Sequence, residues 1–357
     1  MTRNAKTALA ALALFAAMTA VLAFVPVGFV GRAPGRVADL LGTASGGSAI
    51  EVAGVSSYPA AGSLLLSTVA QTGADSPLTF AQALIYFFLP DHDVRLWSRV
   101  YESGATSAQT AAQDQAAMAA SQQTAVVAAL RAAGLPVSEF PRVVAVSSSA
   151  AAAGRLRPGD VVTSVNGVVV HSVAEAVAEV RRNAVGAVVP LIVQRPGVSW
   201  PIEEQVRLGS LASDPETAAL GVTWEQSYSY GAEVAFRIDP GIGGGSAGLA
   251  LGLAVYDLLT PGDLTGGRTV AAVGALSLIE PANYRIAEVG RTSAIREKLA
   301  AAEAQGAEIF LLPQDNCSDL PPSQSPNVRI IPVASFHAAV EILTDLQTKG
   351  DAARVPR

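Results

Sequence analysis

The chain has 357 residues, enough for two domains with additional segments, and half of its residues are apolar. A net charge of −6 gives no electrostatic basis for binding nucleic acid. The single cysteine, Cys317, excludes an intrachain disulfide and a zinc site of paired cysteines, and we expect it to be a buried small hydrophobe. Only Lys6, Lys298 and Lys349 are lysines among 24 basic residues, so a lysine here is a candidate for chemistry that arginine cannot perform.

The chain opens with an apolar segment. Residues 7–30 contain no charged side chain, and the segment exceeds the roughly 20 residues that one helical span of a bilayer needs. A cleaved signal peptide, the alternative, has an apolar region of only about 7–15 residues. We therefore predict a single-pass anchor in the cell membrane, with residues 1–6 in the cytoplasm and the bulk of the chain extracytoplasmic. The flanking charges nearly balance, so this orientation rests on the free amino terminus.

Residues 31–137 are predicted to form a membrane-proximal α/β region. Short apolar runs within residues 50–69 are interrupted by Pro and Gly, which is typical of strands joined by turns. Residues 107–133 are rich in Ala and Gln and contain no Gly or Pro, which predicts a helix. The Gly-Leu-Pro sequence at 134–136 predicts where this helix ends.

Residues 138–200 are rich in predicted strands and turns. Arg157-Pro158-Gly159-Asp160 predicts a turn that leads into a strand. Asn166-Gly167 indicates a two-residue hairpin, because both residues tolerate positive φ. Ser172 and Glu175 have the spacing of a capping box, which predicts the start of a helix.

The order of these elements resembles a bacterial PDZ domain. Such domains bind an extended peptide by adding it as a strand to the edge of a sheet. The resemblance implies that the strand made of Val143, Val144, Ala145 and Val146 provides this edge. The alternative is a small β domain that serves only as a spacer.

A glycine-rich stretch leads to a serine with possible chemistry. Four glycines between residues 241 and 245 precede Ser246, where an apolar helix is predicted to begin. Glycine lets the backbone approach a ligand closely, and the free amides of a helix N-terminus stabilise negative charge. The backbone of Gly244, Gly245 and Ala247 is therefore a candidate oxyanion site beside the Ser246 hydroxyl. The alternative for Ser246 is an ordinary N-cap.

A nucleophilic serine needs a base, and Lys298 is the main candidate in a chain with three histidines. Arginine does not release its proton in proteins, whereas a desolvated lysine does. A helix is predicted over residues 293–305, and Lys298 borders its apolar face near the positive helix N-terminus, which lowers a lysine pKa. The same position also fits an ordinary surface lysine.

The motifs around both residues resemble the proteolytic domain of Lon-type proteases, specifically the membrane-anchored PDZ–Lon branch of Gram-positive bacteria. The matching segments are residues 245–248, 259–267, 295–302, 306–313 and 313–317. The resemblance covers essentially the whole chain. It implies a serine endopeptidase with a Ser246/Lys298 dyad, polypeptide substrates, no cofactor, no metal and a possible homo-oligomer.

The resemblance also implies the fold class and the domain organisation. We expect an α+β multi-domain chain with an N-terminal transmembrane helix, a β-rich PDZ-like domain and a C-terminal α/β-mixed proteolytic domain. The predicted division is residues 1–6, 7–30, 31–137, 138–200 and 211–346. Three features depart from the family. Gly245 replaces a usual Pro, Val273 replaces a Thr whose hydroxyl would lie near the lysine, and residues 277–294 replace a Gly-rich connection. The lost hydroxyl predicts weak or substrate-restricted activity.

The lysine positions exclude one mechanism. A Walker A loop requires Gly-Lys, and no lysine of this chain follows a glycine. We therefore predict proteolysis without ATP, acting on extended or loosely folded chains.

Two other functions fit parts of the sequence. Gly244-x-Ser246-x-Gly248, followed by Asp315 and His337, satisfies the order of an α/β-hydrolase esterase triad. A membrane-tethered PDZ scaffold with a degenerate protease domain is the non-enzymatic alternative, suggested by Val273.

Overall fold

The computed structural model describes residues 3–44, 47–278, 287–320 and 327–350 and forms two compact units. The first unit comprises the described parts of Met1–Gly134 and Ala232–Arg357, and the second is Leu135–Gly231. The helices are α1 (Arg3–Phe24), α2 (Phe80–Phe88), α3 (Ser107–Ala132), α4 (Val173–Arg181), α5 (Gly248–Leu259), α6 (Ile295–Ala304) and α7 (Phe336–Lys349). The strands are β1 (Phe29–Asp39), β2 (Thr43–Ala44), β3 (Gly47–Ser48), β4 (Ile50–Ala53), β5 (Ser63–Gln71), β6 (Asp93–Leu96), β7 (Val137–Val146), β8 (Val161–Val165), β9 (Val168–Val169), β10 (Val188–Gln194), β11 (Ile202–Arg207), β12 (Gly209–Leu211), β13 (Asp214–Ala219), β14 (Val222–Tyr230), β15 (Glu233–Phe236), β16 (Thr269–Ala272), β17 (Ala275–Leu278), β18 (Ala287–Gly290), β19 (Ile309–Pro313) and β20 (Arg329–Val333).

The N-terminal helix α1 is long and apolar enough to cross a membrane, and none of its apolar stretch Thr7–Phe24 is buried. It is shorter than the predicted span of residues 7–30. The helix ends at Phe24 because the following Val25-Pro26 disfavours helical backbone, and β1 begins at Phe29.

The first unit is built on a six-stranded mixed sheet with the order β20-β19-β16-β5-β1-β6. β20, β19, β16 and β5 are parallel neighbours, whereas β1 is antiparallel to both β5 and β6. All five residues of β19 are buried, as expected for a strand inside a parallel sheet. Ile295 and Leu299 of α6 pack with Phe310 of β19 in one apolar core, which fixes α6 against the sheet.

The sheet joins segments that the sequence places in different domains. β1, β5 and β6 come from the predicted membrane-proximal region 31–137, and β16, β19 and β20 come from the predicted proteolytic segment 211–346. The structure therefore differs from the predicted division, since both segments belong to one unit. The physical reason is the parallel pairing of β5 with β16, a long-range contact that local sequence patterns do not reveal.

Helix α3 covers Ser107–Ala132 and confirms the predicted helix over residues 107–133. Thr106 caps its N-terminus, and the Gln109 side chain bonds back to the Thr106 amide in a capping box. Helix α3 packs against α5. Cys317 is exposed, contrary to the expectation of a buried hydrophobe, because its short 3₁₀ helix Gln314–Asp319 turns Asn316 inwards instead.

The second unit is a β-rich domain with one helix. Its main sheet has the order β11-β10-β8-β7-β14, with β9 paired to β8. The predicted hairpin is confirmed, since Asn166 and Gly167 have φ values of 51° and 78°. Ser172 caps α4 by accepting a hydrogen bond from the Glu175 amide, which confirms the predicted helix start. The Glu175 carboxylate accepts from the His171 amide at 2.7 Å instead of closing the capping box on Ser172. β13 and β14 belong to this unit, although the sequence assigned their residues to the predicted segment 211–346.

Candidate active site

Ser246 lies in a short 3₁₀ turn, Gly245–Ala247, that leads directly into α5. Neighbouring elements hold the backbone of this turn. The Gly244 amide donates to the Asp114 carbonyl of α3 at 3.0 Å, and the Ser121 hydroxyl donates to the Gly245 carbonyl at 3.3 Å. On the other side, the Gly274 amide donates to the Ser246 carbonyl at 2.9 Å. Three hydrogen bonds therefore hold the backbone that carries Ser246.

Two glycines are required for this geometry. Gly244 has φ of 101°, a conformation that strongly favours glycine. A Cβ atom at Gly248 would lie 2.9 Å from the Leu276 amide nitrogen, so only glycine lets α5 approach β17 this closely. The glycine-rich pattern before and after Ser246 therefore has a direct structural cause.

Lys298 is the fourth residue of α6, and its side chain is only 4% exposed. Its Nζ lies 2.9 Å from Ser246 Oγ. The structure therefore brings the two predicted catalytic residues into contact, although they lie 52 positions apart in the chain. Ser246 does not cap a helix, since the N-cap of α5 is Ala247 and makes no side-chain capping bond.

The surroundings lower the pKa of Lys298 from its ordinary value to about 8. The largest cause is burial, which disfavours the charged ammonium. The positive charge of Arg32 on β1 lowers the pKa further, and the carboxylate of Glu297 partly opposes both effects. An amine with this pKa can lose and regain a proton near neutral pH.

Thr292 supplies a hydroxyl at the lysine that the sequence reasoning did not find. Its Oγ1 accepts a hydrogen bond from Lys298 Nζ at 2.6 Å. Val273, where a family threonine was expected, is fully buried in the apolar core. The hydroxyl therefore comes from the segment before α6 instead of from the end of β16. In the sequence, Thr292 is simply a threonine six residues before the lysine, and this spacing alone does not predict a contact between them.

A buried asparagine holds Thr292 in place. Asn316 is fully buried, its Oδ1 accepts from the Thr292 amide at 2.9 Å, and its Nδ2 donates to the Thr292 carbonyl at 2.8 Å. Nδ2 also donates to Asp319, and Arg291 contacts the same carboxylate at 2.7 and 2.8 Å. We call Asn316, Asp319 and Arg291 the Thr292 clamp. It fixes the backbone on both sides of Thr292 and hence the hydroxyl beside Lys298.

Ser246 and Lys298 open into a cavity of about 1000 Å³ within the first unit. Gly244, Gly245 and Ala247, the residues predicted to form an oxyanion site, line the same cavity. The Gly244 amide is excluded as an oxyanion donor, because it already donates to Asp114. The amides of Gly245 and Ala247 remain the candidate donors.

The alternative triad does not assemble around Ser246. His337 lies on α7, is exposed, and its Nε2 is 3.2 Å from Glu341. Asp315 is exposed on the 3₁₀ helix Gln314–Asp319.

His92 bonds to the carbonyl of Pro90, and no cluster of metal-ligating side chains occurs among the residues that the structure describes.

The predicted peptide-binding edge of the second unit is wrong. Val143, Val144, Ala145 and Val146 lie on β7, an inner strand that pairs with β14 along this stretch and with β8 at Arg142. A strand with two neighbours has no free backbone groups for a third. The outer strands of the path β11-β10-β8-β7-β14 are β11 and β14, and β14 is the one that lies beside α4.

An apolar groove lies beside the start of β14. The groove has a volume of about 230 Å³ and runs between α4 and β14. Its lining includes Val177 and Val180 of α4, Val222 and Trp224 of β14, and Arg181 at the C-terminal end of α4. The second unit thus combines a sheet edge with pockets for apolar side chains.

Comparison with known proteins identifies a PDZ domain in the second unit. The family model of the PDZ domain matches residues 142–195, so the chain contains a PDZ domain. The PDZ domains of SdrC-like proteins from Listeria monocytogenes and Listeria innocua are similar, with 21% and 22% identity and a TM-score of 0.22 each. Each match covers 24% of this chain, and 86% and 93% of those chains. A solution structure from Geobacillus thermodenitrificans has 27% identity and a TM-score of 0.21, covering 24% of this chain and 94% of that one. No curated protein matches the chain.

Proposed function

We propose that the chain is a membrane-anchored, ATP-independent serine endopeptidase with Ser246 as nucleophile and Lys298 as general base. The observation that carries the proposal is the 2.9 Å contact between the serine hydroxyl and a buried amine whose pKa is lowered to about 8. A hydroxyl beside a desolvated lysine is the arrangement that nucleophilic catalysis requires. The resemblance of the surrounding motifs to Lon-type proteases supports the same assignment from the sequence.

The first chemical step forms an acyl-enzyme. Neutral Lys298 Nζ takes the proton from Ser246 Oγ while Oγ attacks the scissile carbonyl carbon. The carbonyl electron pair moves to oxygen, where the amides of Gly245 and Ala247 are the candidate donors for the resulting oxyanion. Collapse of this intermediate breaks the C–N bond, and the departing amine takes the proton from the Lys298 ammonium.

The second step releases the other product. Lys298, neutral again, takes a proton from water while the water oxygen attacks the acyl ester. The ester bond breaks, Ser246 regains its proton from Lys298, and a carboxylic acid leaves. In both steps the Thr292 hydroxyl accepts a hydrogen bond from Nζ, which aims the lone pair of the amine at Ser246.

The PDZ domain gives the enzyme a separate place to hold substrate. An extended peptide would pair with β14 and place an apolar side chain between Val177 and Trp224. Helix α1 would anchor the chain in the membrane, with the catalytic unit outside the cytoplasm. Substrates would therefore be extended or unfolded polypeptides at the membrane surface.

One observation bears on the scaffold alternative. That alternative rested on Val273, because the hydroxyl expected beside the lysine was missing from the sequence. Thr292 places a hydroxyl 2.6 Å from Lys298 Nζ. The geometry therefore favours the enzyme over a degenerate domain.

Cleavage of an unfolded protein by the full-length chain in detergent tests the proposal. The chain must be kept whole, because a truncated chain that lacks the predicted membrane span, residues 7–30, would also lack the start of β1, including buried Val30. We expect the native chain to cleave, and Ser246→Ala and Lys298→Met to be inactive. Lys349→Met is the matched control, since Lys349 is exposed and pairs only with Asp345 among the described residues.

Two results would contradict the mechanism. Cleavage by Ser246→Ala at the native rate would exclude Ser246 as nucleophile. Loss of cleavage in Lys349→Met as well as in Lys298→Met would show that any lysine change inactivates the chain. A native chain that binds peptide but never cleaves would favour the scaffold.

A further inference from the structure

Helix α2 exposes an unusual amount of apolar surface. Its nine residues, Phe80–Phe88, contain no charged side chain, and none of them is buried. The exposed fractions are 47% for Leu84, 56% for Ile85, 72% for Phe87 and 75% for Phe88. Contiguous apolar surface of this kind marks a binding face on a protein that folds in water.

The exposed side chains share one face of the helix. At 100° per residue, Leu84, Ile85, Phe87 and Phe88 fall within an arc of about 160°. Tyr86 points the opposite way, because its ring lies against Gly31 of β1, where an added Cβ atom would come within 2.6 Å of it. Helix α2 therefore has an inner face fixed on the first unit and an outer face whose side chains are largely exposed.

The start of α2 is attached to the end of α1. The Val27 amide donates to the Leu78 carbonyl at 2.8 Å, and the Leu78 amide donates to the Phe29 carbonyl at 3.1 Å. Pro26 and Thr79 form a β-bridge, and α1 and α2 are in contact. The outer face of α2 thus begins where the membrane-spanning candidate α1 ends.

We infer that α2 is an interfacial membrane helix whose outer face, Leu84, Ile85, Phe87 and Phe88, inserts into the bilayer beside α1. The inference rests on the proposed anchoring of the chain through α1. Backbone hydrogen bonds hold the start of α2 beside the end of α1. In the anchored chain, α2 therefore lies where α1 leaves the hydrocarbon core of the bilayer, next to lipid. Aromatic and apolar side chains are typical of helices that lie at this depth.

The charges near α2 specify the kind of lipid surface. The helix itself is uncharged, and the segment after it carries Asp91 and Asp93, the latter paired with Arg95. Acidic side chains are repelled by anionic lipid headgroups. The contact is therefore hydrophobic and does not require anionic lipid, so a neutral phosphatidylcholine bilayer is sufficient.

Site-specific fluorescence tests this inference on the full-length chain. Cys317, the only native cysteine, is changed to serine, and Phe87→Cys or Phe88→Cys is labelled with an environment-sensitive fluorophore. The protein is placed at one copy per phosphatidylcholine nanodisc that carries a quencher on the acyl chains. Val169→Cys, a somewhat less exposed apolar position at 63% in the other unit, is the control, and Leu14→Cys reports insertion of α1.

We expect blue-shifted, strongly quenched emission at positions 14, 87 and 88, and unquenched emission at position 169. Quenching at 14 without quenching at 87 and 88 would overturn the α2 inference and leave the anchor intact. Absence of quenching at 14 would refute the anchor and, with it, the inference. A blue shift at 87 that appears only at high protein concentration and without quenching would identify a second copy of the chain as the partner and would also overturn the inference.

Discussion

At the residue scale, the proposed mechanism requires a lysine that arginine cannot replace. Twenty-one of the 24 basic residues are arginine, and arginine holds its proton throughout the accessible pH range. Burial at α6 and the charge of Arg32 bring the pKa of Lys298 down to about 8. The chain thus uses arginine as a fixed charge near the site and lysine as the group that exchanges a proton.

The Thr292 hydroxyl should matter for the rate and not for substrate binding. We expect Thr292→Val to lower kcat about 10- to 100-fold, since a hydrogen bond to a group that becomes charged is worth about 1.5–3 kcal/mol. KM should stay unchanged, because Thr292 contacts Lys298 and not the substrate in the proposed mechanism. Steady-state kinetics with a fluorogenic peptide measures both.

Thr292→Ser is the control for this prediction, because it keeps the hydroxyl and should keep most of the activity. Asn316→Ala, which removes the centre of the Thr292 clamp, should resemble Thr292→Val in kcat. Native kcat in Thr292→Val would show that the hydroxyl has no role at the lysine.

At the element scale, local signals predicted helices and turns better than sheet edges. The capping serine of α4 and the Asn166-Gly167 hairpin act within a few positions, so the sequence predicts them, and the composition of residues 107–133 predicts α3. The pairing of β5 with β16 and the place of β14 beside β7 join distant segments. Strand patterns do not specify their neighbours, which is why β7 was mistaken for the peptide-binding edge.

The same limit applies to the candidate site. Ser246 and Lys298 could be proposed from a glycine-rich helix start, the scarcity of lysine and a family resemblance. Thr292 could not, because its role depends on a turn that the buried Asn316 holds in place. The sequence instead suggested that the hydroxyl was lost at Val273, whose side chain packs in the apolar core.

The groove between α4 and β14 should bind the substrate without taking part in the chemistry. We expect Val177→Glu to raise KM for an extended protein substrate several-fold, because it places a larger, polar side chain where an apolar substrate side chain would bind. Its kcat should not change. Ala178→Glu, on the exposed side of the same helix, is the matched control and should leave KM unchanged.

A short peptide that fills only the active-site cavity separates the two roles of the chain. Val177→Glu should cleave such a peptide as fast as the native chain does. An equal loss of activity on short and long substrates would contradict a binding role for the groove.

At the scale of the whole molecule, one buried acid should make stability depend on pH. Asp257 of α5 is 1% exposed, and its Oδ2 has no partner among the described residues. Burial, the largest cause, and the nearby Asp263 raise its pKa to about 6, although the Leu264 amide donates to Oδ1 at 2.8 Å. The folded chain therefore binds a proton more tightly than the unfolded chain at this residue.

This difference in proton binding sets the direction in which stability changes with pH. Between about pH 4 and pH 6 the folded state holds more protons at Asp257, so its contribution to stability falls as the pH rises and levels off above 6. We expect Asp257→Asn to raise the free energy of unfolding at pH 7 by about 1–2 kcal/mol. The whole pKa shift of Asp257 corresponds to a larger gain in the free energy of unfolding, but the amide group that replaces the carboxylate brings a hydrogen-bond donor that has no acceptor. Chemical denaturation at pH 4 and pH 7 measures the change.

If Asp257→Asn and the native chain lost the same stability between pH 4 and pH 7, Asp257 would not be the titrating group.

The central claim is that Lys298 activates Ser246, and pH-dependent covalent trapping of the serine tests it most directly. A fluorophosphonate probe is added to the full-length chain between pH 6 and pH 10, and mass spectrometry locates and quantifies the adduct. We predict an adduct on Ser246 whose rate of formation rises about tenfold per pH unit below pH 8 and levels off above it, as the lysine loses its proton. In Lys298→Met the rate should be very low and should show no step near pH 8. An adduct on another serine, or the same rate and pH profile in Lys298→Met, would contradict the claim.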